Sequence, residues 1–171
     1  MNKKLRNKII LFSVIFVIGV LLDQISKIII KNNLEYLEEI PVIKGFFSIS
    51  YVINTGAAWS FLNEHTWLLT IISIVSCTLC TYFLFSKKYA KDNIFYQLGL
   101  SLIIAGGFGN LIDRAFYQGV VDFLDFIIFG YDFPTFNIAD ICVVSGVVGL
   151  AIWMLQEEKA VKKAQKEKGS E

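Results

Sequence analysis

Residues 9–30 read IILFSVIFVIGVLLDQISKIII, and the reading of the fold turns on them. Fourteen uncharged residues run from Ile9 to Leu22 before Asp23 and Lys27 interrupt, four positions apart. A bilayer core about 30 Å thick is crossed by a helix of about 20 apolar residues, which this stretch supplies. The basic start before it, with Lys3, Lys4, Arg6 and Lys8, also suits a secretory signal. No small-x-small cleavage pattern follows, however, and the helical run continues through DQISKIIIK, so the segment reads as a retained span. Working outward, three more stretches of similar character follow at about 66–85, 94–114 and 136–156.

Composition agrees. The 171 residues are 55% hydrophobic and 18% charged, with a mean hydropathy of +0.58, which is too apolar for an ordinary soluble domain. The expected class is an all-α polytopic membrane protein: one membrane-embedded domain over 1–171 with four transmembrane helices. Outer segments cover about 34–63 and 116–135, and a tail covers 157–171. Twelve of the sixteen basic residues fall in the N-terminal segment, in the link holding Lys87, Lys88 and Lys91, and in the tail holding Lys159, Lys162, Lys163, Lys166 and Lys168. The positive-inside rule makes that side, and both termini, cytoplasmic. The two outer segments carry Glu35, Glu38, Glu39, Glu64, Asp122, Asp125 and Asp132 instead.

Neither outer segment looks helical. IPVIKGFFSISYVIN, residues 40–54, has a Lys44-Gly45 turn signal and then large residues alternating with smaller ones, the period of a strand. A short hairpin on the membrane surface is expected there. The second segment has breaks at Gly119 and Gly130, with β-branched and aromatic runs between them that suit further strands of the same sheet.

The ionisable residues inside the spans share one depth. At 1.5 Å per residue, Asp23 and Lys27 lie roughly 21 and 27 Å along the first span. Asn110, Asp113 and Arg114 lie roughly 24–30 Å along the third, and Asn137 and Asp140 open the fourth at its outer end. Charge within a bilayer is costly and faces a partner or a wet cavity, so this convergence points to a site. Each residue also has a plainer reading. Asp23 and Lys27 suit a helix-surface ion pair, and Asp113 and Arg114, being adjacent, need separate partners or snorkel to the interface. Gly106, Gly107 and Gly109 suit close helix packing. In NIAD, residues 137–140, Asp140 lies three residues after Asn137, close to a capping box at a helix start, where an anion is favourable. Cap and catalyst remain open for it.

Nucleophile chemistry is poorly supplied. Ser13, Ser73, Ser76 and Ser145 lie in spans without a nearby base, and His65 is the only histidine. Cys77, Cys80 and Cys142 suit small apolar packing, and too few ligands remain for a metal. Several acids gathered in a low-dielectric layer are available. Two carboxylates held close cannot both ionise, and such a pair activates water for amide hydrolysis. A proton relay in a transporter would also use intramembrane acids, but it calls for repeats and for acids spread across the membrane. A helix-assembly factor would use the polar residues only as glue.

Five blocks in order carry a resemblance: DQISK at 23–27, NTGAAW at 54–59, GNLIDR at 109–114, VVDF at 120–123 and FNIAD at 136–140. With four spans oriented as above, the sequence resembles the lipoprotein signal peptidases (signal peptidase II) of bacteria. The resemblance implies an aspartic endopeptidase of the cytoplasmic membrane. It would cleave a prolipoprotein on the N-terminal side of a diacylglyceryl-modified cysteine, by water activation at an Asp dyad. Carried over by motif, the dyad is Asp122 and Asp140. Asn54, Asn110, Arg114 and Asn137 would line the site and hold substrate, and Asp23, Lys27 and Asp113 would support it. The resemblance further implies a small β-platform on the membrane surface and an outer loop that closes over the site and brings Asp122 to Asp140. It implies no cofactor or metal. The partners implied are the lipidated prolipoprotein and membrane lipid, not nucleic acid, and the expected state is a monomer with its site near the outer face.

Overall fold

The structure, a computed structural model, describes residues 2–56 and 66–168. Glu64, His65 and the last three residues of the NTGAAW block lie outside the described residues. In chain order the elements are α1 (Lys3–Asn33), β1 (Glu39–Ile43), β2 (Phe47–Asn54), α2 (Thr66–Phe85), α3 (Ile94–Tyr117), β3 (Val120–Ile128), β4 (Tyr131–Phe136) and α4 (Ile138–Lys168). All four helices are long and apolar enough to cross a membrane. With the four-stranded antiparallel sheet they make a polytopic membrane protein carrying a β-platform.

Helix α3 is the central helix and packs against each of the other three. Half of its apolar window lies inside the protein, against about a tenth or less in the others, which turn their apolar surface outward. Its start is capped by Asn93, whose Oδ1 accepts from the Phe95 and Tyr96 amides, and it ends at Gln118 in the left-handed conformation. Glycines set how closely the helices approach. A methyl group added at Gly107 would fall 2.6 Å from Cys77 Sγ on α2, and one at Gly109 would fall 2.6 Å from Asp23 Oδ2 on α1. At Gly106 it would overlap the Ala139 carbonyl on α4. The three glycines singled out as a packing surface therefore each face a different helix. Because the obstacle at Gly106 is backbone, Gly106→Ala must displace the first turn of α4. We expect a loss of about 1–3 kcal/mol, read as a lower unfolding temperature in detergent micelles.

At one end of the bundle Lys4 Nζ meets Asp92 at 2.6 Å, Lys8 donates to the Leu84 carbonyl at 3.2 Å, and Asn93 donates to Gln156 at 2.9 Å. These contacts bring the basic N-terminal segment, the α2–α3 link and the far half of α4 together. A buried cluster of Leu84, Tyr96, Leu100 and Ile104 fills this half, with Phe12, Phe16 and Trp153 against it. The tail, expected as a solvated extension, continues α4 as helix as far as Lys168 and is exposed through residue 167.

The sheet lies at the other end, with strand order β1-β2-β3-β4. The Lys44-Gly45 signal is a turn with Gly45 at φ 75°. The alternation along β2 is present, but the small members are the buried ones. Ser48 and Ser50 are covered, while Phe47, Ile49 and Tyr51 are half-buried. Phe47 stacks on Phe126 and Phe126 on Phe136, with centroids 4.6 and 5.7 Å apart, so the large residues form an aromatic row across three strands. A second buried cluster of Ile30, Val121 and Phe123, with Ile49, Leu124 and Ile138 against it, fastens the sheet to α1 and α4.

Within residues 116–135, α3 runs on to Tyr117 and the rest is the β3–β4 hairpin, the strands expected there, with Phe133 to Phe136 bordering the cavity described below. Asp122 sits inside β3, paired across the sheet with Val52, so its backbone is held by the ladder. Between Ile49↔Leu124 and Val52↔Asp122 the register slips, with three steps on β2 against two on β3. This bulge re-aims the strand next to Asp122. Pro134 lies within β4, an edge strand where a missing N–H is tolerated.

Candidate active site

Local structure fixes Asp140 first. Its amide donates to Asn137 Oδ1 at 3.0 Å, and the Asn137 amide donates back to Asp140 Oδ2 at 3.1 Å. This is the reciprocal cap that the NIAD pattern suggested, and it leaves Asp140 Oδ1 free to accept from Asn110 Nδ2 at 2.9 Å. Asp122 is held from two sides. Asn137 Nδ2 donates to Oδ1 at 2.6 Å, and Asn54 Nδ2 donates to Oδ2 at 2.9 Å. Three asparagines from β2, α3 and the start of α4 thus engage all four oxygens of the two acids. Asn137 engages both acids at once. Expected on the lining, it is in fact fully buried behind the acids, and its Nδ2 also reaches Asn110 Oδ1 and the Val121 carbonyl.

Beneath this layer is an ion cluster. Lys27 is 2% exposed, and its ammonium contacts Asp23 at 2.8 Å, Asp113 at 3.0 Å and Asn110 Oδ1 at 3.0 Å. An ammonium has three protons, and here each has an acceptor. The plainer reading of Asp23 and Lys27 as a surface pair therefore fails, since both are buried. The two carboxylates also reach the backbone beside each acid. Asp113 Oδ2 accepts from the Val121 amide at 3.0 Å, next to Asp122. Asp23 Oδ1 accepts from the Ala139 amide at 2.9 Å, next to Asp140. One cation between two anions thereby fixes the two chain segments that present the acids.

Gln24 was not singled out from the sequence, yet its Nε2 donates to Asp23 Oδ2, Asp113 Oδ1 and the Gly109 carbonyl at 3.0–3.1 Å. Its only sequence signal was its place inside the DQISK block. Arg114, as its adjacency to Asp113 required, points elsewhere and donates to Ser73 Oγ on α2 at 3.4 Å.

Asp122, Asp140, Asn54, Asn110 and Arg114 border one cavity of about 570 Å³. Its remaining walls are largely apolar: Phe133 to Phe136 of β4 on one side, Ile141 and Val144 of α4 on another. Burial, and then the nearby Asp140 charge, push the Asp122 carboxyl up to about 7, despite its two asparagine donors. A carboxyl that keeps its proton near neutrality beside a second carboxyl is suited to acid–base work on a polar bond brought into an apolar cleft.

Two solved structures resemble the whole arrangement. Each is described as a bacterial membrane enzyme determined by the in meso method. One is 38% identical with a TM-score of 0.78, the match covering 86% of this chain and 88% of that one. The other is 39% identical with a TM-score of 0.74, covering 84% and 92%. Residues 15–156, which include every site residue named above, match the family described as Signal peptidase (SPase) II. The chain belongs to that family: it is a multi-pass bacterial membrane protein and an aspartic peptidase of the kind that removes signal peptides from lipoproteins.

Proposed function

We propose that Asp122 and Asp140 are the catalytic dyad, and that the bond cleaved lies just before the lipid-modified cysteine of a prolipoprotein. The observation that carries this reading is the shared hold of Asn137 on both acids, which border one largely apolar cavity. Asp140, at the N-terminus of α4 where an anion is favoured, takes a proton from water. The hydroxide adds to the scissile carbonyl carbon while the Asp122 proton passes to the carbonyl oxygen. The tetrahedral intermediate then collapses. Asp140 returns its proton to the leaving amine of the cysteine, and the hydroxyl proton goes back to Asp122, so the dyad ends as it began. Arg114, Asn54 and Asn110, which border the cavity, hold the substrate backbone. A signal helix and its neighbouring acyl chains reach the cavity beside α4 without leaving the bilayer. The site faces the outer leaflet, both termini are cytoplasmic, and the enzyme works as a monomer without a cofactor.

The test is cleavage of a diacylglyceryl-modified prolipoprotein against the same protein unmodified, by purified enzyme in micelles. We expect only the modified substrate to be cut, at the residue before the cysteine; equal cutting of both would refute the assignment. Run against pH, the rate should fall as pH rises through about 7, because the proton held by Asp122 is then lost and no acid remains to polarise the carbonyl. A rate that keeps climbing to pH 9 would exclude a protonated member.

A further inference from the structure

Ser145 borders the cavity but has no part in the acid–base chemistry. On α4 the cavity wall runs through Asp140, Ile141, Val144 and Ser145. Spacings of three and four residues put these side chains on one side of the helix. Ile141, Val144 and Ser145 are also exposed, so the cavity opens along this stretch of a membrane-crossing helix.

Other hydroxyls in the spans are satisfied by their own helix. Thr70, Thr78, Thr81 and Ser101 each donate to the carbonyl four residues earlier, at 2.7–2.8 Å. Ser145 has no hydrogen bond among the described residues. Ser13 and Ser76 share that state, but neither borders the cavity. A hydroxyl without a partner in apolar surroundings is costly, and one bordering a cavity is free to donate to what enters it.

Ser145 lies roughly 7.5 Å beyond Asp140 along the helix. In the lipid-modified substrate, about eight bonds separate the scissile carbonyl carbon from the nearer ester carbonyl, a reach of roughly 9 Å when extended. The peptide carbonyl two residues ahead of the scissile one lies roughly 7 Å from it in extended chain. Either acceptor comes level with Ser145 when the scissile carbonyl is at the dyad. Ile141 and Val144, which line the interval, offer no side-chain donor.

We propose that Ser145 is a substrate-binding residue whose hydroxyl donates to a carbonyl oxygen of the substrate remote from the scissile bond. The contact rests on the dyad and substrate proposed above. Neither the ester nor the peptide group at that distance takes part in bond exchange, so the contact is equal in the bound substrate and the transition state. Its loss therefore raises KM and leaves kcat unchanged.

The test is cleavage by Ser145→Ala in micelles of a diacylglyceryl-modified prolipoprotein and of an analogue whose acyl esters are replaced by alkyl ethers. We expect KM on the ester substrate to rise about 3–10-fold, with kcat and the unfolding temperature unchanged. If wild type and Ser145→Ala share one KM on the ether substrate, the acceptor is the ester carbonyl. The same fold loss on both substrates makes it the peptide carbonyl. A KM within about twofold of wild type on both substrates overturns the proposal. So does a fall in kcat alone, or a KM rise that comes with a lowered unfolding temperature. A wrong dyad leaves Asp122→Asn active, whereas a wrong contact leaves the KM of Ser145→Ala unmoved, so the two readings fail on different proteins.

Discussion

Asp122→Asn and Asp140→Asn should each lower cleavage of the lipidated substrate by at least about 10³-fold, since each removes one side of the acid–base exchange. The protein should remain folded, and the two effects separate through the sign of the Asp122 shift. Its carboxyl titrates at about 7 in the fold, against 3.8 ordinarily. The folded state thus holds the proton more tightly than the unfolded chain, and stability falls as pH climbs from about 4 towards 7. Above pH 7 the native protein carries a buried anion disfavoured by its surroundings, and Asn removes it. Against this, the Asn amide cannot accept from both Asn54 and Asn137, so one of those donors loses its partner. The unfolding temperature of Asp122→Asn should therefore lie closer to wild type at pH 8 than at pH 5, with activity absent at both. Unfolding of either Asn variant at both pH values would mark the acids as structural; near-normal cleavage by either would remove it from the dyad.

The second large effect is expected at Lys27. Lys27→Met leaves Asp23 and Asp113 facing each other in a buried site with no cation between them, and Asn110 Oδ1 loses a donor. Removing one partner from a buried ion cluster destabilises by about 3–5 kcal/mol, because the charge left behind is uncompensated. Activity should fall with it, because the two carboxylates also hold the Val121 and Ala139 amides. The triple variant Lys27→Met, Asp23→Asn, Asp113→Asn should recover most of the lost stability. It leaves no charge to bury, and each Asn oxygen can still accept from the same amide. Equal instability of the single and triple variants, by thermal unfolding in micelles, would show that packing rather than charge decides.

Much of this was legible before any coordinates. Hydropathy and length gave the four spans, and a rise of 1.5 Å per residue placed Asp23, Lys27, Asn110, Asp113, Arg114 and Asp140 in one layer. The capping box around Asn137 and Asp140 was visible as spacing. The partners were not. That Asp23 grips the Ala139 amide, 116 residues away, depends on how α1 and α4 cross, and glycine packing sets that crossing. Gln24 escaped notice because an amide in an apolar helix has no periodic signature. Strands were expected between Gly119 and Gly130, but the polar members of VVDFLDFII, Asp122 and Asp125, do not alternate with its apolar ones, so the register that pairs Asp122 with Val52 was not legible. The β-branched and aromatic content of that stretch was the available signal for a strand.

The grip of Asn137 on both acids has a consequence for biogenesis. Residues 1–136 can be synthesised and threaded into the bilayer with their buried charges already matched, since Lys27 finds Asp113 and Asp23 within α1 and α3. Over that interval Asp122 has neither its second acid nor its bridging amide, for both arrive with the final helix. On the dyad proposed above, proteolytic competence would then require the last segment, which brings both Asn137 and Asp140.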